Sequence, residues 1–303
     1  MKVLVTGGSG MVGYRLCEKF VSKGHEVDFT YLSNACDIRG ATGHRIEVSS
    51  REEVDSLSAL RPELIIHCAA LTNVDRCEAD HALAWKHNVV ATENAVLLAK
   101  KLGAKITYLS TSNVFRPSQN SYSDSDLPAE LPPNNYGRTK LEGEKLVSKS
   151  GLPFTILRID QPYYWTKPWH KGNTVTRTLK KLRAGETVKE VSDWFNCPTF
   201  IPAFCDVAYA LFQKKLYGVF NAAGPEYLSR YDWAKKTALA FGFAEEKIEP
   251  MESDSLNLPV VRPNIRLDSS PVHEKTGVKP IGIEDGLMRM KKDEKKQHGK
   301  KEK

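Results

Sequence analysis

The stretch KVLVTGGSGMVG, residues 2–13, is a short β-rich run that breaks into glycines and then into a helical pattern beginning at Met11. Gly7, Gly10 and Gly13 recur at three-residue spacing, with Gly8 as an extra. One glycine lets the chain turn sharply, another lets a pyrophosphate approach the backbone, and a third lets helix and strand pack closely. The free N–H groups and positive dipole end of the helix then face the phosphates. Glycines alone are weak evidence, but a strand before them and a helix after them read as a dinucleotide-binding turn. The pattern is T-G-x-x-G-x-x-G, not the commoner G-x-G-x-x-G, and points to a narrower group of nicotinamide-binding proteins.

Outward from this turn, strand-like and helix-like patterns alternate. HEVDFTY (25–31), HRIEV (44–48), ELIIHCAA (63–70), KITYLSTS (105–112) and LPFTILRI (152–159) read as strands, and residues 80–103 as one long helix ending at Gly103. Strands separated by helices argue for a parallel sheet covered on both faces. After Arg158 the rhythm becomes irregular: an aromatic, turn-rich segment (160–173), helices over 174–184, about 204–215 and 229–241, and GVFNAAG (218–224) as a strand returning to the sheet. The expected fold is α/β, a Rossmann-type doubly wound parallel sheet with a smaller mixed α/β C-terminal substrate lobe. Residues 1–159 with about 199–224 form the expected NAD(P)-binding domain, and about 160–198 with 225–290 the substrate lobe.

The chain has 303 residues, 41% hydrophobic and 27% charged, an ordinary globular balance. No apolar run approaches the roughly 18–20 residues of a membrane span, and the N-terminus enters a strand directly, so the expected location is the cytoplasm, with no membrane partner. Of the net charge of +7, the terminal segment 291–303 carries more than half, with seven lysines against three acids. That segment reads as a solvated, disordered tail, not a nucleic-acid surface. The six cysteines are scattered without metal or redox spacing and read as reduced thiols; no metal site is expected.

NNYGRTKLEGEK (134–145) places Tyr136 and Lys140 at i and i+4, on one face of a helix. An ammonium beside a phenol favours the phenolate, and drawing the phenol from its usual pKa near 10 toward 7 makes it a general acid matched to neutral pH. Thr111, in YLSTSNVF (108–115), falls at the C-terminal edge of a parallel strand, where ligands bind, with Ser110 and Ser112 as rivals. At the end of the second strand, FTYLSN (29–34) has no acid to take the ribose hydroxyls, which permits a 2′-phosphate met by Ser33, Asn34 or Arg39. NADP(H) is therefore the preferred cofactor, with NAD(H) as the alternative.

Taken in order, TGGSGMVG, HCAALTNVD, LSTSNVF and YGRTKLEGEK resemble the extended short-chain dehydrogenases/reductases, and within them the dTDP-4-dehydrorhamnose reductases. The similarity runs on through ILRI, DWFNCPT and VVRPNIRLD, over roughly residues 1–290. The resemblance implies an NAD(P)-dependent oxidoreductase acting on a 4-keto-6-deoxy nucleotide sugar, with Thr111, Tyr136 and Lys140 as catalytic triad. It places Gly10, Met11 and Val12 at the pyrophosphate, Glu47 and Val48 near the adenine, and Ala69, Ala70, Leu71 and Thr72 along the adenosine and phosphates. Leu109 would lie near the nicotinamide ribose, and Asn88 either orders the site or bonds nearby backbone. Thr111, Ser112, Gln161 and Arg262 are the substrate-side candidates. Two positions depart from the family pattern: Ser112 stands where an aspartate is usual, and Gln161 where a tryptophan packs on the sugar.

YYWTKPWHKG (163–172) offers aromatics and cations suited to a nucleotide base and diphosphate, or else anchors a surface loop. Two alternatives compete with reduction of a sugar nucleotide. One is a non-catalytic NADP-binding subunit resembling the regulatory beta subunit of methionine adenosyltransferase; the other is an NAD-dependent epimerase or dehydratase. A nucleotide-sugar ligand, no nucleic acid and room for a homodimer complete the expectation.

Overall fold

In the computed structural model, which describes residues 1–128 and 131–298, the first half alternates strictly. β1 (Lys2–Thr6) leads to α1 (Met11–Ser22), β2 (Glu26–Tyr31), β3 (Ala41–Arg45), α2 (Arg51–Ser56) and β4 (Leu64–His67). Then come α3 (Val74–Ala79), α4 (His81–Trp85), a π-helical turn at Lys86–Val90, α5 (Ala91–Leu102), β5 (Lys105–Thr111), α6 (Asn135–Ser148) and β6 (Phe154–Ile159). The second half adds α7 (Thr174–Arg183), β7 (Val188–Val191), β8 (Phe195–Asn196), α8 (Ile201–Gln213), β9 (Gly218–Asn221) and β10 (Leu228–Ser229). α9 (Arg230–Phe241), β11 (Ile248–Met251), α10 (Ser270–Thr276) and α11 (Ile283–His298) complete it.

Seven strands form one sheet in the order β3-β2-β1-β4-β5-β6-β9, every pair parallel. This is the doubly wound arrangement, whose direction of winding reverses between β1 and β4 and opens a crevice at the carboxyl ends of those strands. Alternation within β1 builds two core layers: Val3 and Val5 join Leu16, Phe20 and Phe204 on one face, and Leu4 joins Ile65, Ala95, Leu98 and Val147 on the other. The returning strand at 218–221 pairs with β6, as its sequence suggests. Two small two-stranded sheets, β10-β8 and β11-β7, lie outside the main sheet.

Three expectations are corrected. The third strand occupies Ala41–Arg45, not 44–48, because β2 ends at Tyr31 opposite Arg45 and offers little ladder beyond it. Glu47 and Val48 turn instead toward the crevice. The long helix over 80–103 is three pieces, since its middle is a π turn that carries Asn88 inward, and the side chain bonds Leu71 and Thr139. The lysine-rich end is not a free tail from residue 291: α11 continues to His298. Lys291 donates to the Ala240 carbonyl, Asp293 accepts from the Tyr164 hydroxyl, and Glu294 pairs with Arg183. Residues 299–303 lie outside the described residues. All six cysteines are free thiols. No helix among the described residues is long and apolar enough to cross a membrane.

Candidate active site

The crevice at the carboxyl edge of the sheet is a cavity of ≈ 970 Å³. Its floor at one end is the glycine turn. Gly7 adopts φ +67°, and a Cβ there would sit 2.7 Å from the Ala69 Cα; a Cβ on Gly13 would sit 2.4 Å from the Gly7 carbonyl oxygen. Both contacts are with backbone, so neither position accepts a side chain without moving the chain. Thr30 on β2 holds the turn through Gly7 N–H to its hydroxyl (3.0 Å) and Gly8 N–H to its carbonyl (2.9 Å). Gly10 caps α1 with no side chain over the helix end, which leaves the first-turn N–H groups facing the cavity. This cradle fits the pyrophosphate of a dinucleotide. Where β2 runs out, Leu32, Ser33 and Asn34 line the cavity and no carboxylate stands among them, whereas Arg39 is not part of the lining.

Apart from Arg39, the candidate cofactor residues reach this cavity: Gly7, Gly10, Met11, Val12 and Gly13 from the turn, Glu47 and Val48 beyond β3, Ala69 to Thr72 after β4, and Leu109 on β5. The 70–72 segment is fixed by Asn88, whose Oδ1 accepts from Leu71 N–H (2.7 Å) and whose Nδ2 donates to the Leu71 carbonyl (3.2 Å) and the Thr139 hydroxyl (3.0 Å). Asn88 thus both bonds backbone and ties the cavity-lining loop to α6. His67 is held in the core: it sits between Thr6 (2.6 Å) and Thr92 (3.1 Å), and burial pulls its pKa down to about 3.

Thr111, Tyr136 and Lys140 line the same cavity beyond the turn. The N-cap of α6 is Asn134, which accepts from Gly137 N–H (2.8 Å) and donates to Asn113 (3.0 Å). This seats the first turn of α6 against the end of β5, and the Thr111 hydroxyl hydrogen-bonds the Tyr136 phenol. Lys140 is 3% exposed, with Nζ 4.0 Å from the centroid of the Tyr108 ring. Burial draws its pKa down to about 7, against the fields of Cys68 and Glu144, which favour the charge. One expectation reverses here. Burial pushes the Tyr136 phenol up, and Cys77 and Asp160 add to the rise; only the Thr111 hydrogen bond works the other way. Desolvation is the largest cause because the phenol is taken out of water, where its charged form is the costly one.

On the substrate side, Gln161 and Arg262 line the cavity, the latter held by Asp75 and the Val260 carbonyl. Ser112 does not line it. Its side chain points under the floor and donates to Asp160 Oδ1 (3.0 Å), so its assignment as a substrate contact is corrected. The aromatic loop divides: Tyr163 and Tyr164 anchor it in the core, while Trp169, His170 and Lys171 face the cavity. Trp169 Nε1 (2.9 Å) and His170 Nε2 (2.8 Å) both donate to the Ser9 carbonyl, so the loop closes onto the glycine turn. Sequence reasoning missed Asp160, Trp194, Asn196 and Arg230, all of which line the cavity. Asp160 had a readable signal, since it follows β6 just as the Ser110–Ser112 segment ends β5. Trp194 and Asn196 lie in DWFNCPT, a stretch that carries the resemblance but assigns them no role, and Arg230, at the start of α9, had no signal.

The chain is 29% identical over 290 residues to a dTDP-4-dehydrorhamnose reductase of Mycolicibacterium smegmatis, covering 92% of this chain and 81% of that one. It is also 29% identical over 302 residues to the methionine adenosyltransferase 2 subunit beta of Rattus norvegicus, covering 94% and 87%. A solved dTDP-4-dehydrorhamnose reductase of Clostridium acetobutylicum superposes with a TM-score of 0.82 at 26% identity, over 96% of this chain and 98% of that one. The family model described as the RmlD substrate binding domain matches residues 1–295, and the chain belongs to that family.

Proposed function

We propose that the protein is an NAD(P)H-dependent reductase of a 4-keto-6-deoxy nucleotide sugar, of the dTDP-4-dehydrorhamnose reductase type. The observation that carries this reading is the convergence of Thr111, Tyr136 and Lys140 on one cavity with the glycine turn. Residues 1–159 with about 199–224 hold the cofactor, and about 160–198 with 225–290 shape the sugar side. The acid-free end of β2 favours NADPH, with NADH as the second choice. When bound, the nicotinamide supplies a hydride to the ketone carbon.

The chain's own residues manage the oxygen. Thr111 holds the carbonyl oxygen beside the phenol, Tyr136 O–H donates its proton there, and Lys140 steadies the ribose. A phenol whose pKa is raised stays protonated at neutral pH, and an alkoxide is far more basic than a phenolate, so transfer runs downhill in the direction of reduction. The buried Lys140, titrating at about 7, is able to return a proton at the same pH.

The test is NADPH and NADH oxidation by the purified protein with dTDP-4-dehydrorhamnose. Turnover is expected, and Tyr136→Phe is expected to lower kcat by about 10²–10⁴-fold with NADP affinity unchanged. A Tyr136→Phe protein with full turnover would remove the phenol from the mechanism. Tight NADP binding without turnover favours the second reading, a regulatory subunit like the relatives named methionine adenosyltransferase 2 subunit beta.

A further inference from the structure

Asp160, the residue after β6, is 4% exposed yet lines the cavity. Its main chain is clamped by Thr199: Asp160 N–H donates to the Thr199 hydroxyl (3.1 Å), and its carbonyl accepts from that hydroxyl (2.7 Å) and from Thr199 N–H (3.0 Å). Its carboxylate is equally fixed. Oδ1 accepts from the Ser112 hydroxyl (3.0 Å), and Oδ2 from Asn196 Nδ2 (3.2 Å) and Cys197 N–H (2.8 Å). Two bonds at Oδ2 and one at Oδ1 leave an acceptor position on Oδ1.

Taking a carboxylate out of water costs several kcal/mol, and the three donors around Asp160 offset that cost while leaving one lone pair of Oδ1 untaken. Asp160 has no ion pair within 4.0 Å among the described residues, although Arg230 is close enough for its field to be felt. Arg230 is engaged elsewhere: it lies 3.8 Å over the Trp194 ring and donates to Gln161 Oε1 (2.8 Å) and Asn196 Oδ1 (3.4 Å). Gln161 takes up this bond from a left-handed backbone, φ +36°, which a residue other than glycine holds only under constraint. Burial raises the Asp160 pKa while its donors and Arg230 oppose the rise, and its field reaches the Tyr136 phenol. A fixed acceptor therefore stands in the same cavity as the proton donor.

Resting on the reductase reading for the identity of the sugar, we propose that Asp160 is a specificity-determining residue, whose Oδ1 accepts a hydrogen bond from the substrate hydroxyl on the carbon next to the ketone. Ser112 is the positioning residue beneath it. A site built to take a hydroxyl rejects a ligand lacking it, because the buried acceptor is left unpaired.

The experiment is calorimetric binding to the NADP-loaded protein, with three probes: dTDP, dTDP-rhamnose, and the dTDP-rhamnose analogue lacking the hydroxyl next to the reacting carbon. Wild type is expected to bind the analogue at least about 10-fold more weakly than dTDP-rhamnose. Asp160→Asn and Asp160→Ser are expected to bind those two within about twofold of each other, with dTDP and NADP affinity unchanged. The serine variant makes smaller demands on the surrounding donors and stands in if the asparagine variant does not fold. A wild type that ignores the missing hydroxyl, or variants that keep the wild-type preference, overturn the proposal. Turnover is scored separately: a wild type that discriminates through Asp160 but never oxidises NADPH sinks the reductase reading and leaves this subsite standing.

Discussion

The two ends of the cavity are built on opposite principles. At the glycine turn the working groups are backbone N–H groups, and what matters is the absence of side chains: Gly7 and Gly13 meet other main chain within 2.7 Å of where a Cβ would be. At the corner where Thr111, Tyr136 and Lys140 meet, the proposed working groups are ionisable side chains held out of water, and what matters is the cost of burying them: Lys140 is displaced to a pKa of about 7 and Tyr136 is pushed up. The turn obtains its function from shape at little electrostatic cost. The corner obtains its function from strained electrostatics that the rest of the fold must offset.

Three substitutions sharpen or break this contrast. The largest effect is expected at Lys140→Met. The folded protein holds Lys140 near pKa 7 while an unfolded lysine titrates near 10.4, so the unfolded chain binds more protons between those values and stability rises with pH across that window. Removing the ionisable group should raise stability by up to about 4 kcal/mol at pH 7, with the gain fading as pH approaches 10. Urea unfolding of both proteins from pH 6 to 10 measures it, and a gain independent of pH would mean that the lysine is not destabilising through its charge. Next is Gly13→Ala, expected to cost about 1–3 kcal/mol in stability and to weaken NADP binding, with no change in the pH dependence of unfolding. Thermal melts with and without NADP report both, and wild-type behaviour would break the claim that the turn works by exclusion. The smallest effect is expected at His170→Ala, which removes one of two donors to the Ser9 carbonyl. A loss of about 1 kcal/mol in NADP affinity, roughly fivefold, is expected by titration.

The same contrast explains what the sequence made legible. The turn is contiguous, residues 6–13, and its strand and helix are its neighbours in the chain, so one motif with its flanks identifies it. Tyr136 and Lys140 are readable because a helix fixes their spacing. The sign of the Tyr136 shift was not, because it depends first on burial and then on the fields of Cys77 and Asp160, all set by other parts of the chain. Ser112 was misread for a related reason: the alternation at the end of β5 places it beside Thr111, but only the fold shows that it faces Asp160 across the β5–β6 pair. Asn196 and Arg230 reach the cavity from short strands and a helix start that pair across 32 residues, Leu228 with Asn196, a distance at which no local pattern operates. The π turn at Lys86–Val90 is likewise set by a tertiary bond, since an apolar periodicity cannot distinguish four from five residues of hydrogen-bond reach.

The final helix has a practical consequence for anyone handling the protein. Trp165 hangs its indole N–H on the Met290 carbonyl (2.8 Å), and Tyr164 hangs its hydroxyl on Asp293 (2.6 Å). Four residues after Trp165, the same loop reaches Trp169 and the Ser9 carbonyl. A truncation ahead of Met290, made to trim a lysine-rich end that looks dispensable, would therefore cut the guy-ropes of a loop whose far end rests on the nucleotide cradle. An affinity handle belongs beyond His298, with a spacer, or at another site altogether.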